Sequence, residues 1–245
     1  MKKILTLISI CTLFTMFSCT VPSGETTTIY FPANEYYSRL YVSDGMKVTV
    51  TDEVDEIVIT GDENVLEKLT VDFTSDKLRI YRKDVSLVYL TPTEILLPYN
   101  EYLRDIELNM DSEFYTPFGI ESDEVKITLG GRSKFEGYVY TNNKLFLKMD
   151  DSKADLEGYS PILELDMKNG SLIEEHWTGD YFSFECDNCY GSMSESTAYL
   201  HCYEEIRVNM FYGSMLYFTS DDEDIVNFSG VDDSSDVIYC GGNKK

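Results

Sequence analysis

Between Leu103 and Cys240 apolar and polar residues alternate in short runs, and each run breaks at a small or polar corner that ends on a serine. Val125, Ile127 and Leu129 form one such run; Leu163, Leu165 and Met167 form a second, and Ile206, Val208 and Met210 a third. A period of two sends successive side chains to opposite faces, so each run reads as a strand with one buried face and one wet face. The corners carry glycine, asparagine or aspartate, as in Gly130 to Arg132, Asp150 and Asp151, and Lys168 to Gly170. Such residues accept turn and left-handed conformations at low cost. The marking serines are Ser112, Ser133, Ser152, Ser171, Ser192, Ser214 and Ser234, with steps of 21, 19, 19, 21, 22 and 20 residues.

A fixed step of this size is the mark of stacked units. A unit of about twenty residues is too short for a strand, a crossover helix and a second strand, which need about thirty. The spacing therefore predicts an all-β, single-domain parallel β-helix, a solenoid whose coils lie roughly 4.8 Å apart. An antiparallel meander or sandwich also gives short, evenly spaced strands, but it has no reason to repeat a serine corner seven times. From Tyr36 to Pro98 the chain is strand-rich but out of phase with the later units. Leu40, Val42, Met46, Val48 and Val50 alternate around Ser43-Asp44-Gly45, and Ile57 and Ile59 precede Gly61-Asp62. A solenoid end exposes unpaired backbone and must be covered. The domain is thus read as residues 36–240, with a strand-rich N-terminal cap over 36–98, about seven repeats over 103–240, and a tail over 241–245.

The first residues carry an address. Lys2 and Lys3 precede an apolar run from Ile4 to Phe17, too short to span a bilayer, and Ser18 stands before Cys19. Residues 1–18 read as a signal peptide. Met16-Phe17-Ser18-Cys19 resembles a bacterial lipobox, which implies that Cys19 becomes the lipid-bearing first residue of the mature chain; two or more acyl chains suffice for stable anchoring. The competing reading is a plain secretory signal. Residues 19–35, with Pro22, Ser23, Gly24 and three threonines, read as lipid anchor and flexible tether. No acidic run follows Cys19, which favours the periplasmic side of the outer membrane over the cell surface.

The net charge of −24 repels nucleic acid and anionic headgroups at long range, so the expected membrane contact is through lipid, and no nucleic acid partner is expected. The order of elements resembles the bacterial auto-transporter adhesin, head GIN domain family, common in lipoproteins of the Bacteroides group. The resemblance is carried by Val48-Thr49-Val50, by the segment from Ile57 to Asn64, by Leu78-Arg79-Ile80 and by the serine-centred repeats. It implies a right-handed, pectin-lyase-like β-helix with an adhesive or structural envelope role and no assigned catalytic site. The chain departs from the family's glycine-serine-glycine corners: Ser171, Ser192 and Ser214 keep the first glycine and none keeps the second.

Among chemistry-bearing residues, Cys186 and Cys189 followed by His201 and Cys202 have the spacing of two zinc-ligand pairs, and Cys240 adds a further thiol for a disulfide. Cys186 shares its offset with core residues, so buried thiols and one or two disulfides stand beside metal as readings. His176 and His201 are the only histidines, and no Gly-x-Ser-x-Gly elbow accompanies them. Asp150-Asp151, Asp221 to Asp224 and Asp232-Asp233 are candidate acid, base or calcium-binding groups, with solvated corners as the plainer reading. Tyr190-Gly191-Ser192-Met193 recurs as Tyr212-Gly213-Ser214-Met215, which stacks the tyrosines on neighbouring coils. Tyr190, Tyr212 and Trp177 are therefore the candidate ligand-binding aromatics, with a purely structural ladder as the alternative. No cofactor is expected. The functional expectation is non-catalytic binding or adhesion to a glycan or protein, with a polysaccharide-processing enzyme as the alternative.

Overall fold

In the computed structural model the described residues are 22–33, 36–83, 92–221, 223–227 and 230–241. The expected signal segment, Cys19 and residues 242–245 lie outside them. Four strands come first: β1 (Thr26–Pro32), β2 (Arg39–Val42), β3 (Met46–Thr51) and β4 (Glu56–Asp62). A one-turn helix α1 (Glu63–Leu66) follows, its start capped by Asp62, which accepts the Asn64 N–H. Next are β5 (Leu69–Thr74), β6 (Lys77–Arg82), β7 (Thr93–Pro98) and β8 (Asp105–Leu108). Three long strands form the middle, β9 (Glu113–Gly130), β10 (Lys134–Asp150) and β11 (Lys153–Lys168). The remainder comprises β12 (Leu172–Ile173), β13 (Trp177–Thr178), β14 (Tyr181–Phe182), β15 (Phe184–Ser194), β16 (Thr197–Phe211), β17 (Met215–Thr219) and β18 (Asp236–Tyr239). The protein is all-β.

The alternating pattern decides which residues share a column. β9, β10 and β11 pair in parallel, which places Phe114, Phe135 and Ala154 in one inward column and Ile127, Leu147 and Leu165 in another. All six are buried. The Phe114 and Phe135 rings stack at 5.6 Å and 13°. The ladder continues through Leu163, Cys189 and Ile206 on β11, β15 and β16, and then through β17 to β18. β11 pairs with both β12 and β15, and each of these pairs with β16, so the four close into a ring. The long strands serve two faces because they bend within their length: the β10 register shifts between Tyr140 and Lys144.

The buried corner serines are Ser112, Ser133, Ser152, Ser171, Ser196, Ser214 and Ser235. This corrects the sequence series at two places. Ser192 lies within β15 opposite Asp166 and Asn209, and Ser234 is exposed while its neighbour Ser235 accepts the Ser214 N–H. The β13–β14 excursion lengthens one unit to 25 residues, from Ser171 to Ser196, and the next corner, Ser214, follows after only 18. At the first six of these corners the residue before the serine has positive φ: Asp111, Arg132, Asp151, Gly170, Glu195 and Gly213. The serine hydroxyl then satisfies a backbone group stranded by the bend: Ser133 Oγ accepts the Gly130 N–H and donates to Leu108 O, and Ser171 Oγ donates to Lys168 O.

The N-terminal section departs from the sequence reading in two ways. First, β2 and β3 are in register with the later strands: Leu40 pairs with Ile106 and Val48 with Phe114. β6 and β7 stack on their other side, with Leu78 beside Leu40 and Ile95 beside Val48. Stacking order thus differs from chain order, and the 63 residues between Val42 and Ile106 hide the phase. The cover itself is antiparallel, with β4 on β7 and β5 on β6. Second, residues 26–32 of the expected tether form β1, paired antiparallel with β4. Ile29 and Phe31 pack against the core, and Asp62 accepts the Gly24 N–H at 2.7 Å.

Candidate functional site

Tyr190 and Tyr212 do not stack. Tyr190 lies opposite Glu164 and Arg207, and its hydroxyl donates to Asn188 Oδ1 and Glu205 Oε2 at 3.2 Å. Tyr212 stands in a corner with φ of 56° and is 72% exposed. Its N–H donates to Asp232 Oδ2 at 2.8 Å. That backbone bond, with help from the Ser235 and Ser234 hydroxyls, holds the Asp232 carboxyl at about 2. The identical tetrapeptides therefore occupy unlike settings, mid-strand and corner. Trp177 sits in the β13–β14 hairpin, with Nε1 donating to Glu175 Oε1 at 2.8 Å. Its ring lies 4.3 Å from Phe182, which meets Tyr199, and Tyr199 stacks on Tyr217 at 4.6 Å and 7°. This row is the aromatic ladder, and the shortened step between Ser196 and Ser214 concealed it.

The remaining candidates do structural work. Cys186, Cys189 and Cys202 are buried free thiols, and Cys240 is exposed and free. Cys186 pairs directly with Cys202 across strands. Contact with the Cys189 and Cys202 thiols, with burial behind it, pushes the Cys186 thiol up. Among the described residues no group of three or more His, Cys, Asp or Glu side chains is arranged to hold a metal. His201 is buried between Tyr181 and Tyr203, with Nδ1 3.0 Å from Thr219 Oγ1, and burial depresses its pKa. His176 Nδ1 lies 3.4 Å from Glu157 and 3.6 Å from Asp155. Neither carboxylate belongs to the acidic runs picked out in the sequence. Those runs hold corners: Asp150 accepts from Asn169 and Lys168, Asp221 accepts from Tyr181, and Asp232 caps the Tyr212 bend.

The structure brings together residues the sequence reading passed over. Where β7 runs into β8, Pro98-Tyr99-Asn100-Glu101-Tyr102 folds back on Tyr36 and Tyr37 around a groove of about 740 Å³. Tyr36, Tyr99 and Tyr102 are 71%, 49% and 51% exposed, although large apolar side chains clustered at a surface are unusual outside binding sites. Asn100 fixes the loop: its Nδ2 donates to Tyr37 O at 2.6 Å and its Oδ1 accepts the Tyr102 N–H at 3.0 Å. The Tyr36 and Tyr102 rings stand 6.2 Å apart, and Tyr99 leans on Phe118 at 5.3 Å. Asp52, Asp55 and Glu101 also line the groove. The Tyr37 hydroxyl is buried with no hydrogen-bond partner among the described residues, and burial raises its pKa strongly. Aromatic faces beside carboxylates and an amide suit a ligand with apolar C–H faces and hydroxyl edges. The tyrosine pair in Glu101-flanked Tyr99 and Tyr102 was the available signal, and only the fold adds Tyr36.

A family model described as "Putative auto-transporter adhesin, head GIN domain" matches residues 36–175. A crystal structure of a "putative adhesin" from Bacteroides fragilis NCTC 9343 is similar, with a TM-score of 0.69 at 17% identity over 90% of this chain and 96% of that one. A "putative lipid binding protein" from Parabacteroides distasonis ATCC 8503 has a TM-score of 0.56 at 11% identity over the same shares. A "putative adhesin" from Parabacteroides merdae ATCC 43184 has a TM-score of 0.52 at 13% identity, again over 90% and 96%. At these identities the likeness is one of fold. No curated protein matches the chain.

Proposed function

The chain belongs to the auto-transporter adhesin, head GIN domain family, and from that premise we propose that it is a non-catalytic binding protein of the cell envelope. In this reading it is a right-handed parallel β-helix, anchored through lipid on Cys19 to the periplasmic side of the outer membrane, and it holds a glycan in the Tyr36–Tyr99–Tyr102 groove. The observation that carries the reading is the groove itself, where exposed rings, carboxylates and Asn100 converge. The parallel register of β9, β10 and β11 supports the solenoid. A lipid-bearing Cys19 rests on the lipobox-like segment Met16 to Cys19. Among the described residues no helix is long and apolar enough to cross a membrane. The polysaccharide-processing alternative needs two carboxylates set about a bond in a cleft, and of the acids named for that role Asp150, Asp221 and Asp232 are engaged at corners instead.

Glycan-array binding by the purified chain, compared with its Tyr99→Ala and Tyr102→Ala variants, tests the groove. Binding should fall by about tenfold for each ring removed, the value of one lost stacking face. Undiminished binding in both variants sinks this assignment, as does binding that falls only with Tyr190→Ala or Tyr212→Ala.

A further inference from the structure

The acidic chain spends its cations unevenly. Every described lysine and arginine from Arg132 to Arg207 has a carboxylate within 4.0 Å. Those with no ion pair among the described residues lie between Lys68 and Lys126, and Arg79 is the one whose guanidinium lies over two aromatic rings. It stands at 5.5 Å from the Tyr41 ring and 4.9 Å from the Tyr81 ring. Strand alternation builds this arrangement. On β6, Leu78 and Ile80 point inward, so Lys77, Arg79 and Tyr81 point out; on β2, Leu40 and Val42 are buried, so Arg39 and Tyr41 point out. Parallel pairing then sets Arg39 beside Lys77 and Tyr41 beside Arg79.

Arg39, Tyr41, Lys77 and Arg79 line an open cleft of about 400 Å³ together with Thr74, Ser75 and Glu107. The local carboxylates are already paired, Glu107 within the cleft itself. Asp76 takes Arg39, Glu107 takes Lys77 at 3.0 Å, and Asp72, the cross-strand partner of Arg79, accepts the Thr74 hydroxyl at 3.1 Å. A guanidinium stacked on rings is weakly hydrated and pre-oriented, and its fork matches a carboxylate in bidentate geometry. We propose that the cleft around Arg79 is a subsite for the carboxylate of an acidic sugar at the end of a glycan. The Tyr41 ring and the Thr74 and Ser75 hydroxyls suit a hydroxyl-bearing ring rather than a bare anion. The rest of the surface limits the occupant's length, because a long polyanion would run onto a chain of net charge −24.

The cleft also has a neighbour. A recess of about 360 Å³ shares Tyr36, Glu101 and Tyr102 with the tyrosine groove, and its Asp76 pairs with Arg39 of the cleft. An acidic terminal sugar at Arg79 therefore leads its chain toward Tyr102 and Tyr36. The sugar identity of the ligand rests on the glycan reading above; the carboxylate site does not.

Titration of the purified chain with free glucuronate, glucose and acetate, read by the NMR shift of the Arg79 Nε–H, tests the site. A saturable shift with glucuronate, none with glucose and a much weaker one with acetate is the expected result. Calorimetry with a glucuronate-terminated disaccharide and its glucose-terminated equivalent follows. Arg79→Gln should cost the acidic ligand about tenfold in affinity, as one charged hydrogen-bonding pair is lost, and leave the neutral ligand unchanged. Tyr99→Ala should weaken both. No Arg79 shift with glucuronate overturns the site, and an equal response to acetate overturns its assignment to a sugar. A glucuronate shift with no binding of the neutral disaccharide keeps the carboxylate site and removes the tyrosine groove instead. Circular dichroism of Arg79→Gln matching the unsubstituted chain separates lost binding from lost fold.

Discussion

The two ends of the molecule close their strands by different means. From β9 to β18 every main-ladder pairing is parallel, and the corners as far as Ser214 follow one recipe, a left-handed residue and then a buried serine. The N-terminal section shares those columns through β2, β3, β6 and β7 but covers them with antiparallel strands β1, β4 and β5. A parallel stack needs the backbones of neighbouring turns to approach closely at the same place each time, so it tolerates little at the corners and crossings. An antiparallel cover is made of hairpins whose partly buried side chains give way more easily. The binding candidates follow the same division, because regular columns leave corners occupied by structural bonds, and the irregular section leaves a groove.

Substitutions at glycine break this comparison hardest. At Gly191, with φ of 132°, an added Cβ would lie 1.9 Å from Leu165 O, a backbone atom that cannot move aside. Gly191→Ala should cost about 4 kcal/mol by urea unfolding, the range of severe backbone clashes. Gly61→Ala, in β4 and with ordinary φ, meets the Thr93 side chain at 3.1 Å and should cost about 1 kcal/mol. Equal losses would erase the distinction between stack and cover. Nearly as large an effect is expected in the core. Phe135→Ala removes half of the Phe114 stack and should cost about 3 to 5 kcal/mol. Phe73→Ala in β5, a partly buried ring, should cost about 1 to 2 kcal/mol.

The corner recipe predicts a smaller effect. Ser133→Ala strands the Gly130 N–H and should cost about 1 to 2 kcal/mol, whereas Ser234→Ala frees the Gly213 N–H at an exposed corner where water can replace the hydroxyl, and should fall within about 0.5 kcal/mol. Matching losses for the two serines would show that the buried column carries no special weight. The smallest effect concerns acidity. His201 has a depressed pKa because burial disfavours its charged form, so the unfolded chain binds its proton more readily than the folded one. Its contribution is complete above the ordinary histidine value of about 6.5 and shrinks as pH falls below it. His201→Phe should flatten the stability profile between about pH 7 and pH 5, measured by thermal unfolding, and an unchanged slope would exonerate this histidine.

The alternation of Val125, Ile127 and Leu129, repeated through Ile206, Val208 and Met210, carried the strand assignments by itself, because a period of two leaves no other way to bury one side. The step of about twenty residues also excluded crossover helices. What alternation could not carry was register across an insertion. The excursion at Trp177 to Phe182 lengthens one unit, so Ser192 looked like a corner and Tyr190 looked like the partner of Tyr212; only pairing in space selects Ser196 and brings Tyr199 onto Tyr217. The stacking order of β6, β2 and β8 was likewise hidden, since chain separation says nothing about which strand finds which edge. The groove and the Arg79 cleft join residues from distant strands, Tyr36 with Tyr99 and Tyr41 with Arg79. Their chemistry exists only after burial of Leu40, Val42, Leu78 and Ile80 has turned the alternate side chains outward together.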